Sequence, residues 1–396
     1  MLSGHNILCF PPNRWEGLWR NRQQIMSRLA AHNRILYIHA PPDLRHLAAY
    51  RRRPRALFAG PRLSSPLPNL WVYEPPRYAP RSGRAPLRQI TFWLRLASLR
   101  RTLRRLQMAD PILWLFSYEW RDYLGRLGEK LAIYHAVDDY SAYELEYAGP
   151  AAAEHRRRIQ QLEAETIAGV DLVFVTSAPL LAAKQPLHPH VILVENGVDY
   201  AHFAAAAAFP PAQIAALPRP RIVYAGAVNE KLDLTLLHTL AERFPHASFI
   251  LIGPDALRYD RAQLAQVQAL PNIHFLGHKP VADLPAYLHA CDLCLIPYKR
   301  NEWTRHISPL KLYEYLATGL PILSTDIPAA RAFAGLIWLA DSAEAFIAAL
   351  PAALQADSPD RRRRQQAIAR QHTWENRIEA LSAAISHRLD SSPILP

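Results

Sequence analysis

The sequence predicts an α/β protein built from two Rossmann-like halves that face each other across a cleft. Three observations carry this. Short, mostly apolar runs of four to six residues alternate with helical stretches, the pattern of a parallel sheet covered on both faces. The alternation stops in an alanine- and proline-rich segment near residue 204 and then restarts. The chain has 396 residues, too many for one ordinary core and suited to two domains of roughly 150–200 residues.

In the first half, strands are expected at 6–10, 35–39, 70–74, 112–116, 131–135, 172–176 and 191–194, with helices at 20–31, 87–106 and 151–168. The second half offers strands at 221–225, 248–252, 273–276, 293–297, 321–324 and 336–339. Its helices are expected at 232–244, 283–290, 309–318 and 343–350. The boundaries drawn from this are 1–205 for the first domain, 206–219 for a linker, 220–372 for the second domain and 373–396 for a helix and tail. That last helix, 374–389, has nothing left to complete in the second domain and is expected to cross back to the first. Open α/β sheets bind ligands outside the carboxyl ends of their strands, so the cleft is the expected site.

Composition narrows the function. Half of the residues are hydrophobic and 20% are charged, with a net charge of +12, as expected of a globular chain that meets phosphates, an anionic membrane or nucleic acid. The arginines come in short blocks such as Arg51 to Arg53, Arg156 to Arg158 and Arg361 to Arg364. No zinc-finger or aromatic RNA-binding signature accompanies them, which argues against nucleic acid. Cys9, Cys291 and Cys294 read as buried core thiols, although Cys291 and Cys294 have nominal redox spacing. His39, His135 and His306 do not make a metal spacing, and no metal is expected. The first ten residues lack the basic and apolar runs of a secretory signal. No run of about 18 apolar residues is present. A cytoplasmic location is therefore expected.

The most informative segment runs from Ser308 to Thr325. Ser308 is expected to cap a helix, Pro309 to begin it, Gly319 to close it and Pro321 to stop its continuation. Such a helix start, at a strand-end crevice, offers free N–H groups and a positive dipole end to a phosphate. Lys311 and Glu314 are three apart and share one helix face, while Leu312 and Leu316 belong to the core. Lysine in a first turn opposes the dipole unless an anion offsets it, and glutamate a turn deeper can accept hydrogen bonds from a vicinal diol. On spacing alone, an ordinary solvated Lys–Glu pair reads the same way.

This segment resembles the donor-site helix of glycosyltransferases of the GT-B architecture, especially the retaining family 4 group. The resemblance implies that Glu314 binds the nucleotide ribose and that Lys311 faces the diphosphate or the donor sugar. Two further stretches are similar to the same family. Glu195-Asn-Gly-Val-Asp199 matches the segment that ends its first domain, though Asn196-Gly197 also reads as a simple turn. Tyr224 to Asp233 matches the first strand and glycine loop of its second domain. Gly226 there lets backbone approach a ligand, and Lys231 is a second cation for the diphosphate or a solvated lysine. In the first half the segments 15–24 and 134–140 resemble bacterial polysaccharide enzymes, including the teichuronic acid biosynthesis glycosyltransferases. They follow strand ends and put Arg14, Trp15, Arg22 and His135 on the acceptor side.

One departure stands out. Family 4 enzymes often carry two glutamates eight positions apart, and eight before Glu314 is His306. Tyr298, Arg305 and His306 are then the loop residues expected at the donor. Asp138 and Asp139 are the candidates for proton transfer or acceptor binding, since neighbouring carboxylates raise each other's proton affinity. One of them, or Ser141, can equally cap the next helix.

The resemblance implies a glycosyltransferase of surface polysaccharide or glycolipid assembly with a UDP- or GDP-linked sugar as donor and no cofactor. Its acceptor would be a saccharide or polyprenyl-linked saccharide. A nucleotide-sugar epimerase of the same architecture and an inactive membrane-associated scaffold are the alternatives. The helix expected at 87–106 has an apolar face and many arginines, which suits peripheral contact with an anionic inner membrane or simply a solvated basic face.

Overall fold

The computed structural model describes residues 1–43, 58–83, 85–143, 147, 149–206 and 209–391. Arg51 to Arg53 and two positions of the expected linker, 207 and 208, lie outside the described residues.

The first sheet has eight strands: β1 (Asn6–Phe10), β2 (Arg34–Ile38), β3 (Arg62–Leu67), β4 (Leu70–Glu74), β5 (Ile112–Leu115), β6 (Leu131–Ala136), β7 (Leu172–Val175) and β8 (Val191–Leu193). Their order is β3-β4-β2-β1-β5-β6-β7-β8, parallel throughout except where β3 meets β4. The second sheet holds β9 (Arg221–Ala225), β10 (Ser248–Ile252), β11 (Ile273–Gly277), β12 (Leu293–Ile296), β13 (Ile322–Thr325) and β14 (Trp338–Ala340). Its order is β11-β10-β9-β12-β13-β14, all parallel. The apolar runs therefore form the two parallel sheets that the alternation predicts. Strand β3 is additional. It contains Pro66 and lacks a continuous apolar run, and an antiparallel edge is where a proline costs no ladder bond.

Each sheet reverses its winding beside its first strand. In the first sheet β2 and β5 flank β1; in the second, β10 and β12 flank β9. The crevice at such a switch point is where open α/β sheets bind ligands. The two crevices face one another and share one cleft, lined from both halves.

The last helix (Trp374–Ser391) does cross back. Trp374, Ile378, Leu381 and Ile385 are buried in the core of the first sheet with Ile25, Met26 and Trp114. Arg28 from the helix Asn21–Leu29 meets Glu375 at 2.9 Å. The chain makes this crossing beside the Asn-Gly-Val-Asp stretch, where Val198 N–H donates to His372 O and Trp374 N–H to Val198 O. A Cβ on Gly197 would lie 3.0 Å from the Thr373 backbone, so glycine permits the approach. The stretch is more than a turn: Asn196 Nδ2 also donates to Ser308 O at 2.6 Å, tying the crossing to the cleft.

The basic run at 361–364 is itself helical (Pro359–Gln371), capped by Ser358, and Arg362 packs against Gly319. This helix is not among those expected from the sequence, because its exposed arginines mask its period. Cys9, Cys291 and Cys294 are buried and unpaired, as core thiols should be.

Candidate functional site

The helix Leu310–Thr318 follows the strand β12 and a short helix (Glu302–His306) and starts inside the cleft. Its first residue is Leu310, with Pro309 extended at the cap position and no side-chain cap. Ser308 thus does not cap the helix. Its carbonyl is taken by Asn196, and it lines the cleft beside Pro309 and Leu310. The missing cap leaves the first N–H groups of the helix available to a ligand. Gly319, at φ 75°, closes the other end as expected.

Lys311 and Glu314 both line the cleft, and Leu312 and Leu316 are fully buried on the opposite side. Lys311 is held by two phenols. Its Nζ donates to Tyr298 Oη at 2.5 Å and to Tyr224 Oη at 3.3 Å, with both rings within 5 Å of the ammonium. Burial, with Lys231 close by, lowers its pKa to about 7. Glu314 is partly open to the cleft and has no hydrogen-bond donor among the described residues. Burial raises its pKa to about 7, against the pull of Lys311. A buried carboxylate without a donor is costly, and a ligand's hydroxyl groups would relieve that cost.

Gly226 and Gly253 make the pocket floor. A Cβ on Gly226 would sit 2.6 Å from Lys311 Nζ, and one on Gly253 only 2.0 Å from Gly226 O. Lys231 lies in the loop after β9, with its Nζ 5.2 Å from the Trp303 ring centre; burial lowers its pKa while Asp138 opposes the change. Gly226 is expected from the sequence, whereas Gly253, which follows β10 directly beside it, carries no signal of its own there.

From the first half the cleft receives Leu18, Trp19, Arg20, Asn21, Arg22, Val137 and Asp138. Asp138 accepts from Tyr143 Oη at 2.5 Å. Asp139 is turned away: its Oδ1 takes the N–H and hydroxyl of Ser141, capping a short 3-10 turn. Adjacent carboxylates have split roles because the chain turns between them.

Several expected site residues are not in the cleft. Arg305 is exposed and, among the described residues, pairs with Glu302 at 3.7 Å. His306 bonds the Glu302 carbonyl at 2.9 Å and lies 3.8 Å from Asp139. Both belong to the short helix Glu302–His306, which points them away from the crevice. Arg14 is exposed and pairs with Glu16 and Glu74. Trp15 is buried between Trp19 and Tyr37, its backbone N–H donating to His39 Nε2 at 3.0 Å. His135 is in the core, stacked on Phe116, and burial drives its pKa down to about 3. Such a ring is a neutral packing element. Arg22 does line the cleft. Arg20 beside it was missed, although a residue at the first turn of the helix after β1 must face the switch point.

Comparison with known proteins fits this geometry. Residues 219–356 match the family described as Glycosyl transferases group 1. The chain is 31% identical over 174 residues to the putative teichuronic acid biosynthesis glycosyltransferase TuaH of Bacillus subtilis (strain 168). That match spans 43% of this chain and 42% of the relative, less than half of either. Among solved structures, sucrose-phosphate synthase from Thermosynechococcus elongatus superposes with a TM-score of 0.67 at 15% identity, over 98% of this chain and all of the other. Anabaena HepE in complex with UDP-glucose gives 0.67 at 15% identity over 97% of this chain and all of the other. These likenesses show the two-domain GT-B fold.

Proposed function

We propose that this protein is a glycosyltransferase that moves a sugar from a nucleotide-sugar donor to a saccharide or lipid-linked acceptor in surface polysaccharide or glycolipid assembly. The observation that carries the reading is the open helix start at Leu310, with Lys311, Lys231 and a donor-free Glu314 around it at the switch point. A pyrophosphoryl group fits the two lysines and the helix end, and a ribose diol fits Glu314. In this reading residues 220–372 hold the donor and residues 1–205 the acceptor. The TuaH and HepE matches support it, the one through polysaccharide assembly, the other through UDP-glucose.

Asp138 is the side chain we assign to the acceptor hydroxyl, as proton acceptor or orienting group. It lines the cleft from the first half. Closure of the halves over the donor would exclude water and limit hydrolysis. A plate of UDP, GDP and ADP with the purified protein tests the donor side. At least one should raise Tm by several degrees through binding linkage. Failure of all three would remove the reading. Conversion of a UDP-sugar without any acceptor would point to an epimerase instead.

We also assign peripheral contact with the cytoplasmic face of an anionic inner membrane. Among the described residues no helix is long and apolar enough to cross a bilayer. The helix Leu87–Arg105 buries Leu96, Leu99 and Leu103 but leaves Leu87, Ile90, Trp93 and Leu94 exposed on its first turns. Arg100, Arg101, Arg104 and Arg105 are exposed on its last. Apolar insertion beside a row of arginines suits anionic headgroups. Vesicles rich in phosphatidylglycerol should carry the protein up a density gradient at low salt and release most of it near 1 M salt, where screening shortens to about 3 Å. Ile90→Asp with Trp93→Asp should abolish flotation. No flotation of the wild type at low salt would end this assignment.

A further inference from the structure

The cleft carries more positive charge than a nucleotide-sugar needs. The diphosphate of such a donor brings two negative charges, which Lys231 and Lys311 match on the donor side. Across the cleft the first half supplies Arg20 and Arg22, flanking Asn21 at the start of the nine-residue helix Asn21–Leu29. Neither arginine has a carboxylate within salt-bridge distance among the described residues. The Arg20 guanidinium has no hydrogen-bond partner there, and its Nε is buried. Arg22 is 4% exposed. One of its terminal nitrogens bonds Asn13 Oδ1, while its Nε is buried without a partner.

Buried donors are ordinarily satisfied, and a guanidinium is the group suited to planar, bidentate anions. The helix start adds N–H groups without intrahelical acceptors at the same point. Arg20 acts electrostatically on both Lys231 and Lys311, so these cations repel one another across the cleft. The arrangement becomes favourable once anions lie between them.

We infer that Arg20, Arg22 and the start of the helix Asn21–Leu29 form a second anion site, which holds a phosphate or carboxylate carried by the acceptor. The inference rests on the donor reading above, because it assigns the diphosphate to the lysines opposite. An acceptor anchored there by its anionic group would lay its hydroxyl groups along the wall that carries Asp138. Two acceptor types share this chemistry, a lipid-linked sugar diphosphate and a uronic acid residue.

The test uses the full chain saturated with UDP, so that the donor's phosphate positions are filled. Inorganic pyrophosphate, D-glucuronate and D-glucose are then titrated in turn by calorimetry or ligand-observed NMR. One of the two anions should bind saturably and glucose should not. Binding of pyrophosphate points to the lipid diphosphate, and binding of glucuronate to the uronic acid. Arg20→Gln, a change at a partly exposed position, should weaken anion binding at least tenfold and leave UDP affinity within twofold. If neither anion binds the UDP-saturated protein, the second site does not exist. If Arg20→Gln instead costs tenfold in UDP affinity, the arginine belongs to the donor and the inference is overturned. Loss of UDP binding in the wild type, with Arg20-dependent anion binding intact, would remove the donor reading and keep the anion site.

Discussion

Glu314→Ala should lower the affinity for the nucleotide-sugar about 10- to 100-fold while leaving the fold as stable as before. The two halves of that expectation have one cause. The carboxylate accepts no hydrogen bond from the described residues, so its removal breaks no hydrogen bond and loses only the attraction of Lys311. Burial has already pushed its pKa up to about 7, and relieving a poorly solvated carboxylate costs no stability. With donor bound, the same carboxylate would accept from two ribose hydroxyls. Hydrogen bonds to a charged group are worth about 1.5–3 kcal/mol each, and part of that is repaid by water entering the space. Glu314→Gln keeps the shape and one acceptor oxygen and should fall between wild type and alanine. Calorimetric titration with UDP-glucose and a thermal melt of the empty protein measure both halves. An alanine variant that binds within twofold of wild type would show that the ribose lies elsewhere.

The fold and the second-half wall of the cleft were legible for a shared reason. Strands covered on both faces must be continuously apolar, so β9 to β14 announce themselves. A helix flanked by Pro309 and Gly319 has little freedom in where it starts and ends. Lys311 and Glu314 then share a face by helical geometry alone. The first-half wall was harder because its residues sit in loops, where direction is set by packing and not by period. Trp15 and Arg20 are five positions apart in one segment, yet Trp15 is buried against Tyr37 and Arg20 faces the cleft. Asp138 and Asp139 are neighbours with separate duties for the same reason.

The loop before the donor helix shows the same limit. Arg305 and His306 are within six residues of Lys311, but the short helix Glu302–His306 turns them toward Glu302 and Asp139. A capping box at Asn301 and Thr304 creates that helix, and such a signal is in the sequence for a reader who looks for it. His306 stands where the family that this segment resembles often has its first glutamate, and here its side chain does not line the cleft, whereas Lys311 and Glu314 do.

Affinity for the donor should peak near pH 7 and fall on both sides, because Lys311 and Glu314 titrate there with opposite consequences. Burial and the nearby Lys231 hold the Lys311 pKa at about 7 in the empty cleft, far below its ordinary value. A diphosphate favours the charged ammonium, so binding raises that pKa and takes up a proton. Above pH 7 each unit then costs about 1.36 kcal/mol, a factor of about ten, until the pKa of the complex is reached. Glu314 runs the other way. Its pKa of about 7 means the empty site is protonated in acid, while ribose hydroxyls favour the carboxylate, so binding releases a proton and weakens as pH falls below 7. From pH 7 to 8.5 the affinity for UDP-glucose should drop about tenfold, because Lys311 is already half deprotonated at pH 7 and Glu314 becomes fully ionised over the same interval. Calorimetry in two buffers of different ionisation enthalpy should record net proton uptake at pH 8 and release at pH 6. The two limbs separate by mutation. Lys311→Met should weaken binding at pH 7 and flatten the alkaline limb, because the group that must regain its proton is gone. Glu314→Gln should flatten the acid limb and leave the alkaline one. An affinity that stays constant from pH 6 to 8.5 in the wild type would mean that neither group meets the donor, and the helix at Leu310 would lose its role.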